Sequence, residues 1–337
     1  MDHIDSARIE HDDDAGLDPS LYNESIAESD TTSLSPSVFD YVYENGRRYA
    51  SNRTGNDSIL PNDEQEQERL DMTHHVCNLL LDGELFIAPV DLTGEKGVDG
   101  EPIRVLDVGT GTGIWAIDLG DQYPHVQVLG IDLSPIQPTY VPPNVRFEID
   151  DLEAEEWNYN KKFTFIHVRL MMGSVKDWPV LIKKIYKNLL PGGYIQIHEV
   201  DVAQPQSDDG THLNTSILEY SSKLSEAARK AGRPVDLAPK LQGYIEDAGF
   251  EGVTKIIRKA PIGAWPKDPR LKRIGHANYI GSLSGVEAYG RLLFTKVLGW
   301  SDEKAMELIN RTVNDLHNKK LHLYYSQYYY YAQKPKE

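Results

Sequence analysis

Val105-Leu106-Asp107-Val108-Gly109-Thr110-Gly111-Thr112-Gly113-Ile114-Trp115 decides the fold. An apolar run feeds a glycine-rich turn and a helical pattern follows, which is the strand-turn-helix crossover that brings ligands to the carboxyl ends of parallel strands. Gly109 and Gly111 let backbone approach a ligand that a Cβ would block, and Gly113 lets the helix begin close against the strand. Outward from this stretch, residues 103–200 alternate short apolar runs (IRVLDV, VQVLGID, VRFEID, FTFIHVRL, YIQIHEV) with amphipathic or turn-rich segments. Apolar strands separated by helices predict an α/β, Rossmann-like, mainly parallel sheet with helices on both faces. The clearest helix spans about 176–190, with Trp178, Leu181, Ile182, Ile185, Tyr186 and Leu189 on one stripe, and Pro191-Gly192-Gly193 is expected to end it and restart a strand.

The glycine spacing bears on the ligand. A dinucleotide fold uses G-x-G-x-x-G so that a pyrophosphate sits on the helix N-terminus; here the third glycine comes one residue early and Ile114 stands in its place. Asp107, two residues before Gly109, sets a carboxylate beside the loop, which repels a pyrophosphate and suits an ammonium group. S-adenosylmethionine carries an ammonium and a sulfonium and no phosphate. Asp132, with Leu133 beside it, ends the next apolar run, where a carboxylate can accept both ribose hydroxyls. Nicotinamide-dependent enzymes use the same acid, so Asp132 by itself leaves an NAD-binding oxidoreductase as a remote alternative. Asp151 ends the following strand and could accept from an adenine amino group while the Leu152 amide donates to a ring nitrogen, with Asp150 and Glu153 as competitors.

VLDVGTGTGIW, GIDLSPIQP, FEIDDLEAEEW and LLPGGYIQIHEVD resemble the motifs of class I S-adenosylmethionine-dependent methyltransferases. YENGRRY, LPNDEQEQERLD and FIHVRLMMGSVKDW are more narrowly similar to the fungal LaeA-like methyltransferase-domain proteins, over about residues 40–335. The resemblance implies seven strands with the last antiparallel, and a family that includes secondary-metabolite methyltransferases and velvet-associated regulators. Thr164 departs from it, standing where the wider class commonly has an acidic residue.

The expected organisation is a disordered acidic tail over 1–38, an N-terminal helical and lid segment over 39–100, and a methyltransferase domain over 101–337. Helical insertions at about 205–248 and 268–318 are expected to roof an acceptor pocket. Asn62-Asp63-Glu64-Gln65 starts a capped helix with Leu70, Thr73, His74, Cys77, Leu80 and Leu81 on one face. YENGRRY at 43–49 holds two cations beside two aromatic rings; either it is a surface linker, or it is a lid with Arg47 available to the methionine carboxylate and Tyr49 shielding the sulfonium. A strand VTKIIRK at 253–259 and a tyrosine-rich final strand, one face packed and one wet, close the chain.

The formal net charge is −17, and residues 1–40 hold eleven acidic side chains against a single Arg8. No Lys/Arg stripe offers the phosphate neutralisation on which nucleic-acid affinity rests, so there is no strong nucleic-acid signal. No apolar stretch approaches the roughly 18 residues that cross a bilayer. One cysteine, Cys77, fits a reducing compartment, and the acidic N-terminus lacks the charge of a presequence, which points to the cytoplasm with a nuclear site left open. Methyl transfer needs chiefly positioning and exclusion of water. Arg169, grouped with the cofactor contacts, and Met171 follow the fourth strand of the sheet; His198 and Glu199, with Asp201, end the fifth and are the weak candidates for a base. No metal site is expected. The partners expected are a small-molecule acceptor and, for a regulator, other proteins.

Overall fold

The computed structural model describes residues 41–50, 59–97 and 99–336; the expected acidic tail lies outside them. The chain enters as a hairpin of β1 (Tyr41–Glu44) and β2 (Arg47–Ala50). Glu44 pairs with Arg47 across Asn45-Gly46, whose φ angles of 51° and 76° make a two-residue turn of the type that suits strand twist. Helix α1 (Glu64–Leu80) follows, and Asp63 caps it by accepting from the Glu66 amide.

The main sheet contains β3 (Arg104–Val108), β4 (Gln127–Asp132), β5 (Val145–Ile149), β6 (Phe163–Arg169), β7 (Leu189–Val200), β8 (Glu251–Pro261) and β9 (Tyr324–Gln333). Its order is β5-β4-β3-β6-β7-β9-β8; the first five strands are parallel, and β9 runs antiparallel to both its neighbours. Successive side chains on a strand face opposite ways. Val105 and Phe165 therefore meet Trp115 and Leu119 of α2 (Ile114–Gln122), while Leu106, Val108, Ile166 and Val168 pack with α3 (Trp178–Asn188) and α5 (Leu241–Asp247). Trp178, Leu181, Ile182 and Ile185 of α3 are at most 2% exposed, roughly 2 kcal/mol of burial each.

Two expectations change. The strand after α3 begins at Leu189, ahead of Pro191-Gly192-Gly193, which lies inside β7. β9 is not half wet: it lies between β7 and β8, and Tyr329 and Tyr330, on opposite faces, are both fully buried. A separate cluster joins α4 (Ser216–Lys230), α6 (Pro269–Leu292) and α7 (Asp302–Leu316) around Leu224, Phe294 and Leu308. Of the expected roof, α5 takes no part, because it packs with α3 on the sheet. Among the described residues no helix is long and apolar enough to cross a membrane.

Candidate active site

The chain order reverses between β3 and β6, and a cleft of about 1240 Å³, open mouth included, lies at the carboxyl ends of the strands there. Asp107, Gly109, Thr110, Gly111, Asp132, Leu133, Asp151, Leu152 and Arg169 all line it, so most of the residues expected at a cofactor meet in one place. Asp107 accepts from Thr110 Oγ1 at 2.7 Å and from His167 Nδ1 at 2.8 Å. Burial holds the His167 pKa below the usual range, against Asp107, and its ring stacks on Trp115 with ring centroids 3.7 Å apart.

Asp132 takes the Gly111 amide on Oδ2 and the Ser134 amide on Oδ1, both at 2.9 Å. A carboxylate has about four acceptor sites, so lone pairs remain on Asp132 for hydroxyl donors. Burial raises its pKa against those amides. Asp151 Oδ1 accepts the Glu153 amide at 2.8 Å, and Asp150 Oδ1 accepts the Asp151 amide at 2.8 Å, which makes the turn that exposes both acids to the cleft.

The glycines act on their surroundings as much as on a ligand. A Cβ on Gly109 would stand 2.0 Å from Met171 Sδ, so the absent side chain makes room for Met171, which also lines the cleft. Gly113, at φ +81°, does not line it; its Cβ would strike the Phe147 ring at 2.3 Å, so the close approach of α2 is to a β5 side chain.

Arg169 faces the cleft with its guanidinium already committed: Nη1 and Nη2 both donate to His74 Nδ1 at 3.1 Å, and His74 Nε2 meets Asp118 Oδ2 at 2.9 Å. Burial, and then Arg169, lower the His74 pKa. Arg47 and Tyr49 are not in the cleft. Arg47 forks onto Asp63, Nε to Oδ2 at 2.6 Å and Nη2 to Oδ1 at 2.8 Å, and Tyr49 lines a separate groove with Val42, Ile59 and Leu293. Their link to the cleft is indirect: the Asn62 amide donates to Arg48 O at 2.7 Å, and Asn62 Nδ2 donates to Ser134 Oγ at 3.1 Å.

His198, Glu199 and Asp201 line neither this cleft nor the cavity beside it. His198 Nε2 bonds Gln327 Oε1 at 2.8 Å, its ring stacks on Tyr329, and burial pushes its pKa down to about 3. Glu199 Oε1 accepts the Met171 amide at 2.6 Å and burial pushes its pKa up to about 8, so it props the turn after β6.

Sequence reasoning missed Glu66, Arg69 and Tyr289. Arg69 donates to Glu66 from Nε at 2.9 Å and Nη2 at 2.7 Å, and its guanidinium lies 5.2 Å from the Tyr289 ring centre. Glu66 and Arg69 are one turn apart on α1, but only the structure shows that both are buried. Arg69, Thr73, Leu170 and Tyr289 are the common wall between the cleft and a second cavity of about 970 Å³, open mouth included.

The donor set fits an adenosyl amino acid. Carboxylates stand at or just beyond the ends of three neighbouring strands and face the cleft. A family model described as a methyltransferase domain matches residues 73–255. The methyltransferase pytC of Aspergillus terreus is 42% identical over 97% of this chain and 96% of its own length. The chain belongs to the S-adenosylmethionine-dependent methyltransferases. This methyltransferase is also 35% identical to the secondary metabolism regulator LAE1 of Cochliobolus heterostrophus, over 87% of this chain and 95% of that one. Among solved structures, phosphoethanolamine N-methyltransferase 2 of Haemonchus contortus in complex with S-adenosyl-L-methionine is 17% identical with a TM-score of 0.42, over 88% of this chain and 71% of that one.

Proposed function

We propose that this methyltransferase alkylates a small molecule held in the second cavity. One observation carries the reading: that cavity and the cofactor cleft share Arg69, Thr73, Leu170 and Tyr289. S-adenosylmethionine supplies an electrophilic methyl group on sulfur. The chain's part is to hold it and to keep water out. Asp107 would take the ammonium, Asp132 the ribose hydroxyls and Asp151 with Leu152 the adenine, with Gly109, Thr110, Gly111 and Leu133 as the surrounding wall. Gly113, Arg47 and Tyr49 would support this site without touching the cofactor. Helices α4, α6 and α7 close the acceptor cavity through residues such as Ile217, Val286 and Leu316.

The LAE1 similarity supports a second reading, a cofactor-binding regulator of secondary metabolism that acts through protein partners. Incubating the pure protein with labelled S-adenosylmethionine and metabolite extracts separates the two. Label transferred to a small molecule is the expected result; cofactor binding without any turnover would favour the regulator.

A further inference from the structure

The second cavity differs from the cofactor cleft in charge. Its walls are apolar, with Met72, Val76, Ile217, Leu224, Val286 and Leu316 on the four helices α1, α4, α6 and α7. The polar side chains along it are turned to other partners. Tyr220 donates to Val286 O at 2.8 Å and Asn278 to Pro261 O at 2.9 Å, Thr312 bonds Leu308 O at 2.8 Å, and Gln327 Oε1 meets His198. Among the described residues that line it, no Asp, Glu, His or Lys is present, and Arg69 is the one charged side chain.

Two consequences follow from that lining. An ammonium acceptor would find no counter-ion, and burying an unpaired charge is costly. A weakly acidic alcohol would find no base to take its proton. Arg69, by contrast, is held in place: Glu66 grips Nε and Nη2, Nη1 is directed to Thr73 Oγ1 at a long 3.3 Å, the Tyr289 hydroxyl is a further neutral partner, and Arg69, Thr73 and Tyr289 all line the cavity. Glu66 lines the cofactor cleft and not this cavity, so its carboxylate orients the guanidinium without facing the acceptor.

We propose that the acceptor is an apolar molecule with one hydroxyl acidic enough to ionise in solvent near neutral pH, an enol or an acidified phenol, that binds as its anion against Arg69 and is methylated on that oxygen. The inference rests on the cavity being the acceptor site. The acceptor loses its proton to solvent before it binds. Its oxygen forms the new O–CH₃ bond as the sulfur–methyl bond breaks with its electron pair left on sulfur, so an anion and a sulfonium become a neutral ether and a thioether.

Calorimetric titration of the full chain, saturated with S-adenosylhomocysteine, tests this with three probes: 4-hydroxycoumarin, an enol ionised at neutral pH, coumarin, which lacks the hydroxyl, and tryptamine, an ammonium. The enol should bind at least tenfold tighter than coumarin, and should lose that advantage as the pH falls through its own ionisation. Arg69→Gln should remove the advantage and leave coumarin affinity within about twofold. Since that change strands Glu66, the Glu66→Gln/Arg69→Gln pair provides a variant with neither charge, in which the same loss is expected. Equal binding of enol and coumarin, or tightest binding of tryptamine, would overturn the proposal. Leu224→Trp, which fills the cavity, should abolish binding of all probes. If it does so while no anion preference exists, the acceptor class is wrong and the site stands; if every probe binds the filled protein unchanged, the acceptor site itself is wrong.

Discussion

Asp107 and His167 sit opposite each other on adjacent parallel strands, in register, and share a 2.8 Å hydrogen bond under the Trp115 ring. The bond from His167 Nδ1 holds Asp107, which lines the cleft, in one orientation. His167→Ala should lower unfolding free energy by about 1.5–3 kcal/mol, the range for a hydrogen bond to a charged group. Affinity for S-adenosylhomocysteine should fall with it. Urea unfolding and calorimetry measure the two effects, and no change in either would mean that Asp107 is oriented by Thr110 alone.

Asp132→Ala should weaken cofactor binding at least tenfold while the protein stays folded. Each hydroxyl bond lost is worth about 1.5–3 kcal/mol before reorganisation. Gly111 and Ser134, whose amides lose Asp132 as acceptor, both line the open cleft. Unchanged affinity by calorimetry would remove Asp132 from the ribose.

Arg47 reaches the site only through Asp63 and the Asn62 loop. Arg47→Ala should therefore destabilise the protein by about 1–3 kcal/mol, and should cost much less in an Asp63→Asn background, because contacting pairs are not additive. Tyr49→Phe should leave cofactor affinity within about twofold. A large loss of affinity from Tyr49→Phe alone would restore the lid.

Glu199 titrates near pH 8 when folded against an ordinary value near 4.5. Between these values the folded chain holds the proton that the unfolded chain has released, so this group's contribution to stability falls as pH rises from about 4.5 to 8 and is level beyond. Glu199→Gln keeps an acceptor for the Met171 amide and removes the titration. The variant should gain on the wild type by on the order of 1–4 kcal/mol between pH 5 and pH 8. His198, held neutral by burial, works the other way: its contribution is lost as pH falls from about 6.5 towards 3. Denaturation curves of both proteins across this range check the sign; a constant difference would mean that Glu199 is ionised throughout.

What could be read directly was local. Asp63 capping α1, the stripe of α3 and the carboxylates that end β3 and β4 follow from residue type and spacing within one turn or one strand. Asn45-Gly46 between aromatic strands is an equally local hairpin signal.

The sequence by itself determined the class of fold and its ligand loop, because side-chain period and glycine conformation act over a few residues. Tertiary structure alone decided four things: that β9 inserts between β7 and β8, that His198 turns into the core against Tyr329, that Arg47 spends its charge on Asp63, and that Glu66 and Arg69 of α1 meet Tyr289 of α6 at the wall between two cavities. Each depends on groups tens to hundreds of residues apart, or on which face of an element is turned inward. Burial and partner choice there are set by how the whole chain packs, and no local spacing encodes them.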